Sequence, residues 1–206
     1  MNKQRLVSIA RYFVFAIALL STSTAFASDT ARGKLEIDDS TFKCLSSMTP
    51  VRDFYVDNLL GDLDKTLEIA KSPTGGKYPA GSVVQLIPGE VMVKLEEGSF
   101  PATKDWEFFE LEVSKEGGKI QKRGFVDVVN KFGGNCFACH IQARPEWDLI
   151  CEKGHGCDPL DLTQEMISAI QKTDPRCEDS PELNDSEKKA LQDLMKALAG
   201  TQQPAG

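Results

Sequence analysis

The chain has 206 residues, 41% of them hydrophobic, and a formal net charge of −7. That length supports one ordinary domain with an appendage. The acidic balance argues against nucleic acids and anionic membrane surfaces, partners that need clustered lysine and arginine.

In chain order, the first predicted element is an export signal. Lys3, Arg5 and Arg11 make a basic start, Tyr12 to Leu20 is an apolar run too short to span a bilayer comfortably, and Ala25-Phe26-Ala27 is a small-residue cleavage pattern. Residues 1–27 therefore read as a signal peptide, with an uncleaved anchor as the alternative. Cleavage near Ala27 removes those three positive charges and no acids, moving the formal charge from −7 to −10. The mature protein is expected in the periplasm, without stable membrane insertion.

Residues 28–50 form an N-terminal lead-in, polar and aperiodic through 43, and expected to be mobile. From Arg52 to Ala70, Phe54, Tyr55, Leu59, Leu60, Leu63, Leu67 and Ile69 recur at three- and four-residue steps, which predicts an amphipathic helix. Ser72-Pro73-Thr74-Gly75-Gly76 ends it. Four strands are predicted next, over Ser82–Ile87, Val91–Leu95, Trp106–Val113 and Lys119–Val129, with Gly and Pro punctuation suited to an antiparallel meander. A glycine-bearing loop, 130–135, leads out of it. Beyond Cys157 the pattern turns helical. One helix carries Leu162, Met166 and Ile170 and stops before Asp174-Pro175. A second covers 185–199, opened by a capping box of Asn184 with Glu187 and followed by Gly200. The fold class is α+β: an antiparallel sheet domain over 51–160, with an N-terminal helix and a helical C-terminal extension over 161–206.

The chemistry is concentrated in Cys136-Phe137-Ala138-Cys139-His140. This is the C-x-x-C-H pattern of covalent haem c attachment. Two thiols three positions apart reach the two vinyl groups on one porphyrin edge, and the next residue, His140, lies where its imidazole can bind the iron. The alternatives are a thioredoxin-like redox pair, which expects a βαβ setting, and half of a zinc site, which needs a second pair. Cys151, His155 and Cys157 do not have the usual zinc spacing.

With two of six cysteines assigned to haem, Cys44, Cys151, Cys157 and Cys177 remain. In an oxidising compartment they can form two disulfides by any of three pairings. The favoured pairing is Cys151–Cys157, closing a short loop, with Cys44–Cys177 tying the mature N-terminus to the tail. The second axial position is open. His155 is a candidate sixth iron ligand, although its flanking glycines suggest a surface loop. Met48, Met92, Met166 and Met195 are thioether alternatives that more often serve as core filler.

The meander, the stretch Asp105-Trp106-Glu107-Phe108-Phe109, the late haem motif and the following Glu146-Trp147-Asp148-Leu149-Ile150 together resemble the cytochrome P460 and cytochrome c′-β family over roughly residues 52–160. The resemblance implies a periplasmic monohaem protein with a β-sheet haem pocket, commonly dimeric, with His140 proximal and the opposite face of the iron open. Some members oxidise hydroxylamine and carry a lysine cross-linked to the porphyrin. Lys94 is the candidate for that catalytic position, and its competing reading is an edge or solvent-facing lysine. Glu96, Glu107, Glu110 and Glu112 are candidates for a proton-handling acid, and Phe108, Phe109 and Phe125 for packing. The extra cysteines and the helical appendage lie outside the family pattern.

The expected function is electron transfer, or binding of a small diatomic ligand at the iron, with a redox partner protein or a gas as partner and a homodimer as one assembly. The alternative is a haem oxidoreductase acting on hydroxylamine, nitric oxide or peroxide. A third reading is a structural role in assembly.

Overall fold

The computed structural model describes residues 35–131 and 133–201, and the predicted signal peptide 1–27 lies outside them. Six strands follow one another in space as in sequence: β1 (Thr49–Val51), β2 (Phe54–Asn58), β3 (Ser82–Ile87), β4 (Glu90–Lys94), β5 (Trp106–Ser114) and β6 (Gly117–Gly124). Every neighbouring pair is antiparallel. The sheet is the predicted meander, extended by two strands at its start.

Strand alternation gives the sheet two apolar faces. One carries Val56, Val84, Met92, Trp106 and Phe108, packed with Val128, Leu149 and Ile150. The other carries Val83, Val91, Val93, Phe109 and Leu111. This second face is covered by the segment expected to be a mobile lead-in. Ile37 and Phe42 are buried there, Phe42 packs at a tilt against Phe109 at 5.1 Å between centroids, and Leu45 is buried as well. The part of 28–50 from Leu35 onward is thus a structural layer, because a two-faced sheet must bury both sides.

The predicted helix over Arg52–Ala70 is corrected. Arg52, at φ 52°, turns a tight hairpin between β1 and β2, and the helix α1 spans only Leu63–Lys71. Phe54, Val56 and Asn58 alternate inward with period two, and this local pattern prevails over the helical spacing of the same apolar residues. Gly61 at φ 81° separates strand from helix. Asn58 joins them: its amide Nδ2 donates to Thr66 Oγ1 at 3.0 Å, and its Oδ1 accepts from Leu60 N and Asp62 N.

At the other end β6 stops at Gly124, short of the predicted Val129. One helical turn, α2, covers Cys136–His140. The C-terminal extension is a helical hairpin of α3 (Gln164–Lys172) and α4 (Asp185–Thr201), so α4 continues through Gly200. The capping box forms as expected, with Glu187 N donating to Asn184 Oδ1 and Asn184 N to Glu187 Oε2, both at 2.9 Å. Gln171 fastens α3 to the sheet by donating to Leu86 O at 2.8 Å. Among the described residues no helix is long and apolar enough to cross a membrane.

Candidate functional site

Leaving β6, the chain loops back on itself, and a bridge between Val129 and Asn135 closes the loop at the start of α2. Asn135 is the pivot. Its Oδ1 caps the helix by accepting from Ala138 N at 2.8 Å, while its Nδ2 donates to Val126 O at 2.8 Å and Val128 O at 3.2 Å. On a helical turn, positions three and four apart share a face. Cys136, Cys139 and His140 therefore present two thiols and an imidazole to one side.

Those thiols are unpaired, whereas the other four cysteines are joined as Cys44–Cys177 and Cys151–Cys157, the favoured pairing. Burial, reinforced by the carboxylates of Glu90 and Glu110, pushes the Cys136 thiol up to about 12. Burial, then Asp158, also raises Cys139. A redox-active pair needs the opposite shift, a thiolate stabilised near neutral pH. Both shifts favour the protonated thiols over a reactive thiolate.

His140 is oriented by its backbone surroundings. Its Nδ1 lies 2.7 Å from Leu149 O. A carbonyl only accepts, so Nδ1 carries the proton and Nε2 keeps its lone pair. Burial lowers the His140 pKa, and the Leu149 bond only partly opposes this, so the ring is neutral at pH 7. A neutral imidazole with Nδ1–H on a backbone carbonyl is the usual arrangement of a metal-binding histidine.

The surroundings are aromatic. Phe108 lies 5.3 Å from the His140 ring and 6.2 Å from Phe137, Phe125 lies 5.7 Å from Phe137, and Phe100 lies 5.9 Å from Phe125. Phe100, Phe125 and Phe137 are only half buried, and Val126 and Ile141 beside them are 68% and 51% exposed. A flat apolar group would bury this surface. The donor set, unpaired thiols, neutral imidazole and aromatic border, fits haem c.

Lys94 is corrected from its solvent-facing reading. It is 1% exposed and sits on the same sheet face as Met92, directly opposite Trp106. Its Nζ donates to Asp148 Oδ2 at 2.7 Å and Lys104 O at 2.6 Å, and lies 5.0 Å from the Trp106 ring centroid. Burial lowers its pKa, against the raising influence of Asp148. His155, the candidate sixth ligand, packs on Trp147 with the rings stacked at 3.6 Å and 6°, and its Nδ1 lies 2.8 Å from Ile150 O. Met92 is buried on the motif side of the sheet, Met48 packs against the opposite core, and Met195 is 61% exposed.

The acid candidates separate. Glu107 pairs with Arg123 at 2.7 Å, Glu96 accepts from Leu35 N, and Glu112 accepts from Gln121. Glu110 alternates with Phe108 onto the motif side and is half buried, whereas Glu112, of the same parity, is exposed; Glu90 lies directly across from Glu110. Glu90 has its pKa raised, by burial first and by Glu110 in addition. Four contributors were missed from the sequence: Asn135, Glu90, Asp148 and the Leu149 carbonyl. Of these, only Asn135, a favoured N-cap type immediately before the motif, carried a readable signal.

No known protein family, curated protein or solved structure matches this chain.

Proposed function

We propose that this chain is an exported c-type monohaem cytochrome, acting in electron transfer or in binding a small diatomic ligand in the periplasm. Cys136 and Cys139 would hold the group through thioethers, and His140 Nε2 would bind its iron. The observation that carries this reading is the Leu149 carbonyl on His140 Nδ1, which leaves Nε2 as a free donor beside the only two unpaired cysteines of the six. The resemblance to the cytochrome P460 and cytochrome c′-β family supports it from the sequence side.

Bound haem would supply a one-electron couple and an iron position for a diatomic ligand. The chain's own residues do the rest. Asn135 fixes the turn bearing the two thiols, Leu149 O sets the His140 tautomer, and Phe108, Phe125 and Phe137 would pack on the group and exclude water from it. The ion pair of Lys94 with Asp148 favours electron transfer or ligand binding over a lysine-dependent oxidation of hydroxylamine.

The test is the mass and optical spectrum of the purified, exported chain. Under denaturing conditions the mass should equal the processed polypeptide plus one haem, and the Cys136→Ser/Cys139→Ser variant should lose the added mass. A bare polypeptide mass for the parent sinks the proposal. Carbon monoxide should shift the reduced spectrum if ligand binding is the role, and leave it unchanged if the protein only carries electrons.

A further inference from the structure

The strongest geometry outside the motif is a line of contacts that begins at a buried lysine and ends on the imidazole of His140. Lys94 Nζ grips Asp148, whose Oδ2 also accepts from Tyr78 N at 2.9 Å. Asp148 is covalently followed by Leu149, whose carbonyl lies 2.7 Å from His140 Nδ1. Both residues are left-handed, Asp148 at φ 49° and Leu149 at φ 68°. For a bulky residue such as leucine this conformation is an outlier and persists only where the surroundings enforce it.

Lys94 also reaches the other side of the aromatic surface. Its second acceptor, Lys104 O, belongs to another left-handed pair, Lys104 at φ 50° and Asp105 at φ 67°. Asp105 Oδ1 accepts from Phe100 N at 3.0 Å, and the Phe100 ring begins the row that runs through Phe125 to Phe137. One ammonium thus fastens two strained turns, one behind the histidine and one at the border of its apolar surround.

Stability alone is a poor reason for such a lysine. A buried ion pair recovers little more than its desolvation cost, and an apolar pair of similar volume is often equally stable. What a charged lysine adds is a fixed position for Asp148, and with it the direction of the Leu149 carbonyl.

We infer that Lys94 and Asp148 are positioning residues: by locking the Asp148-Leu149 turn, they aim the Leu149 carbonyl at His140 Nδ1 and so set the tautomer and electron-donating strength of the histidine. This rests on the proposed role of His140 as iron ligand, and it assigns Lys94 to the histidine rather than to covalent chemistry. A histidine whose Nδ1–H bond is held firmly is a stronger donor, and a stronger donor lowers the potential of its metal.

The experiment uses the full exported chain and three variants: Lys94→Met, Asp148→Asn and the two combined. The combined variant removes both charges together, while the amide oxygen introduced by Asp148→Asn can still accept from Tyr78 N, so it should fold even if Lys94→Met alone does not. With haem attached, the reduction potential of each folded variant should move positive of the parent while the added mass is unchanged. Nitrogen NMR of His140 in the haem-free Cys136→Ser/Cys139→Ser background gives a readout that needs no haem: with Lys94 and Asp148 intact the Nδ1–H tautomer should be almost entire, and with the combined substitutions a mixture. A parent without covalent haem would defeat the cytochrome proposal alone, and the tautomer would still decide this one. If the folded combined variant keeps the parent's tautomer, and its potential wherever haem is attached, the inference is overturned.

Discussion

Asn135 engages four backbone groups, one at the start of α2 and three carbonyls of the preceding loop. Truncation to alanine removes the cap and leaves those carbonyls without their side-chain donor. Loss of the cap alone costs about 0.5–2 kcal/mol, so Asn135→Ala should lower stability by at least that much in a denaturant melt. It should also lower the yield of covalent product, because the two thiols would no longer be held on one turn. At this scale the sequence was informative where chemistry follows spacing. Cys136, Cys139 and His140 could be grouped by their positions alone. Lys94 could not be placed, because a lysine on a strand ordinarily marks a wet face and its partner Asp148 is 54 positions away. The Leu149 carbonyl was invisible for another reason: leucine carries no signal for a left-handed turn, and an aspartate before it tolerates that conformation without requiring it.

At the scale of elements, α3 and α4 are joined through one carboxylate. Glu187 accepts from Lys172 Nζ and Ser168 Oγ, each at 2.6 Å, and from Asn184 N at 2.9 Å. The Lys172 and Ser168 bonds, with that of Asn184, hold its pKa at about 2, against 4.5 for a free glutamate. A depressed folded value stabilises the hairpin above the unfolded pKa and loses that contribution as pH falls from about 4.5 to about 2. The melting temperature of Glu187→Gln should therefore lie below the parent's by a constant amount above about pH 5. The gap should close towards pH 2, and a gap independent of pH would contradict the assignment. This capping box was legible, since Asn184 and Glu187 stand at fixed offsets before an apolar periodic run. The segment 52–70 was not, because Phe54, Tyr55, Leu59 and Leu60 satisfy a helical period while Phe54 and Val56 also satisfy a strand. Pairing with β3, unavailable to local reasoning, decides between them.

The whole molecule is closed by a contact between its ends. Cys44 and Cys177 are bonded across a separation of 133 residues. Around them Leu45 N donates to Asp174 Oδ2 at 3.0 Å, and Arg176 holds the same carboxylate at 2.7 Å. Burial acts to raise the Asp174 pKa, but the bonds from Arg176 and Leu45 prevail and lower it. Replacing both cysteines with serine should cost about 2–4 kcal/mol, measured by chemical denaturation, with the helical hairpin and the layer from Leu35 loosening together. Thiol titration of the denatured, unreduced haem-bearing protein should find no free thiol, and two or more would contradict the pairing. The even count of leftover cysteines was legible, and the burial of the lead-in against the second sheet face was not.

That closure has a consequence for how the chain is made. Emerging from its N-terminus, the polypeptide offers Cys44 to Cys136, Cys139, Cys151 and Cys157 before Cys177 has been synthesised. If the chain is exported as proposed, the bond to Cys177 is the last one available, and two of the earlier suitors are the thiols that would hold the haem. On that reading an early bond from Cys44 to Cys136 or Cys139 would block haem attachment until thiol–disulfide exchange released it. Yield of the haem-bearing protein should then rise when a disulfide isomerase is supplied.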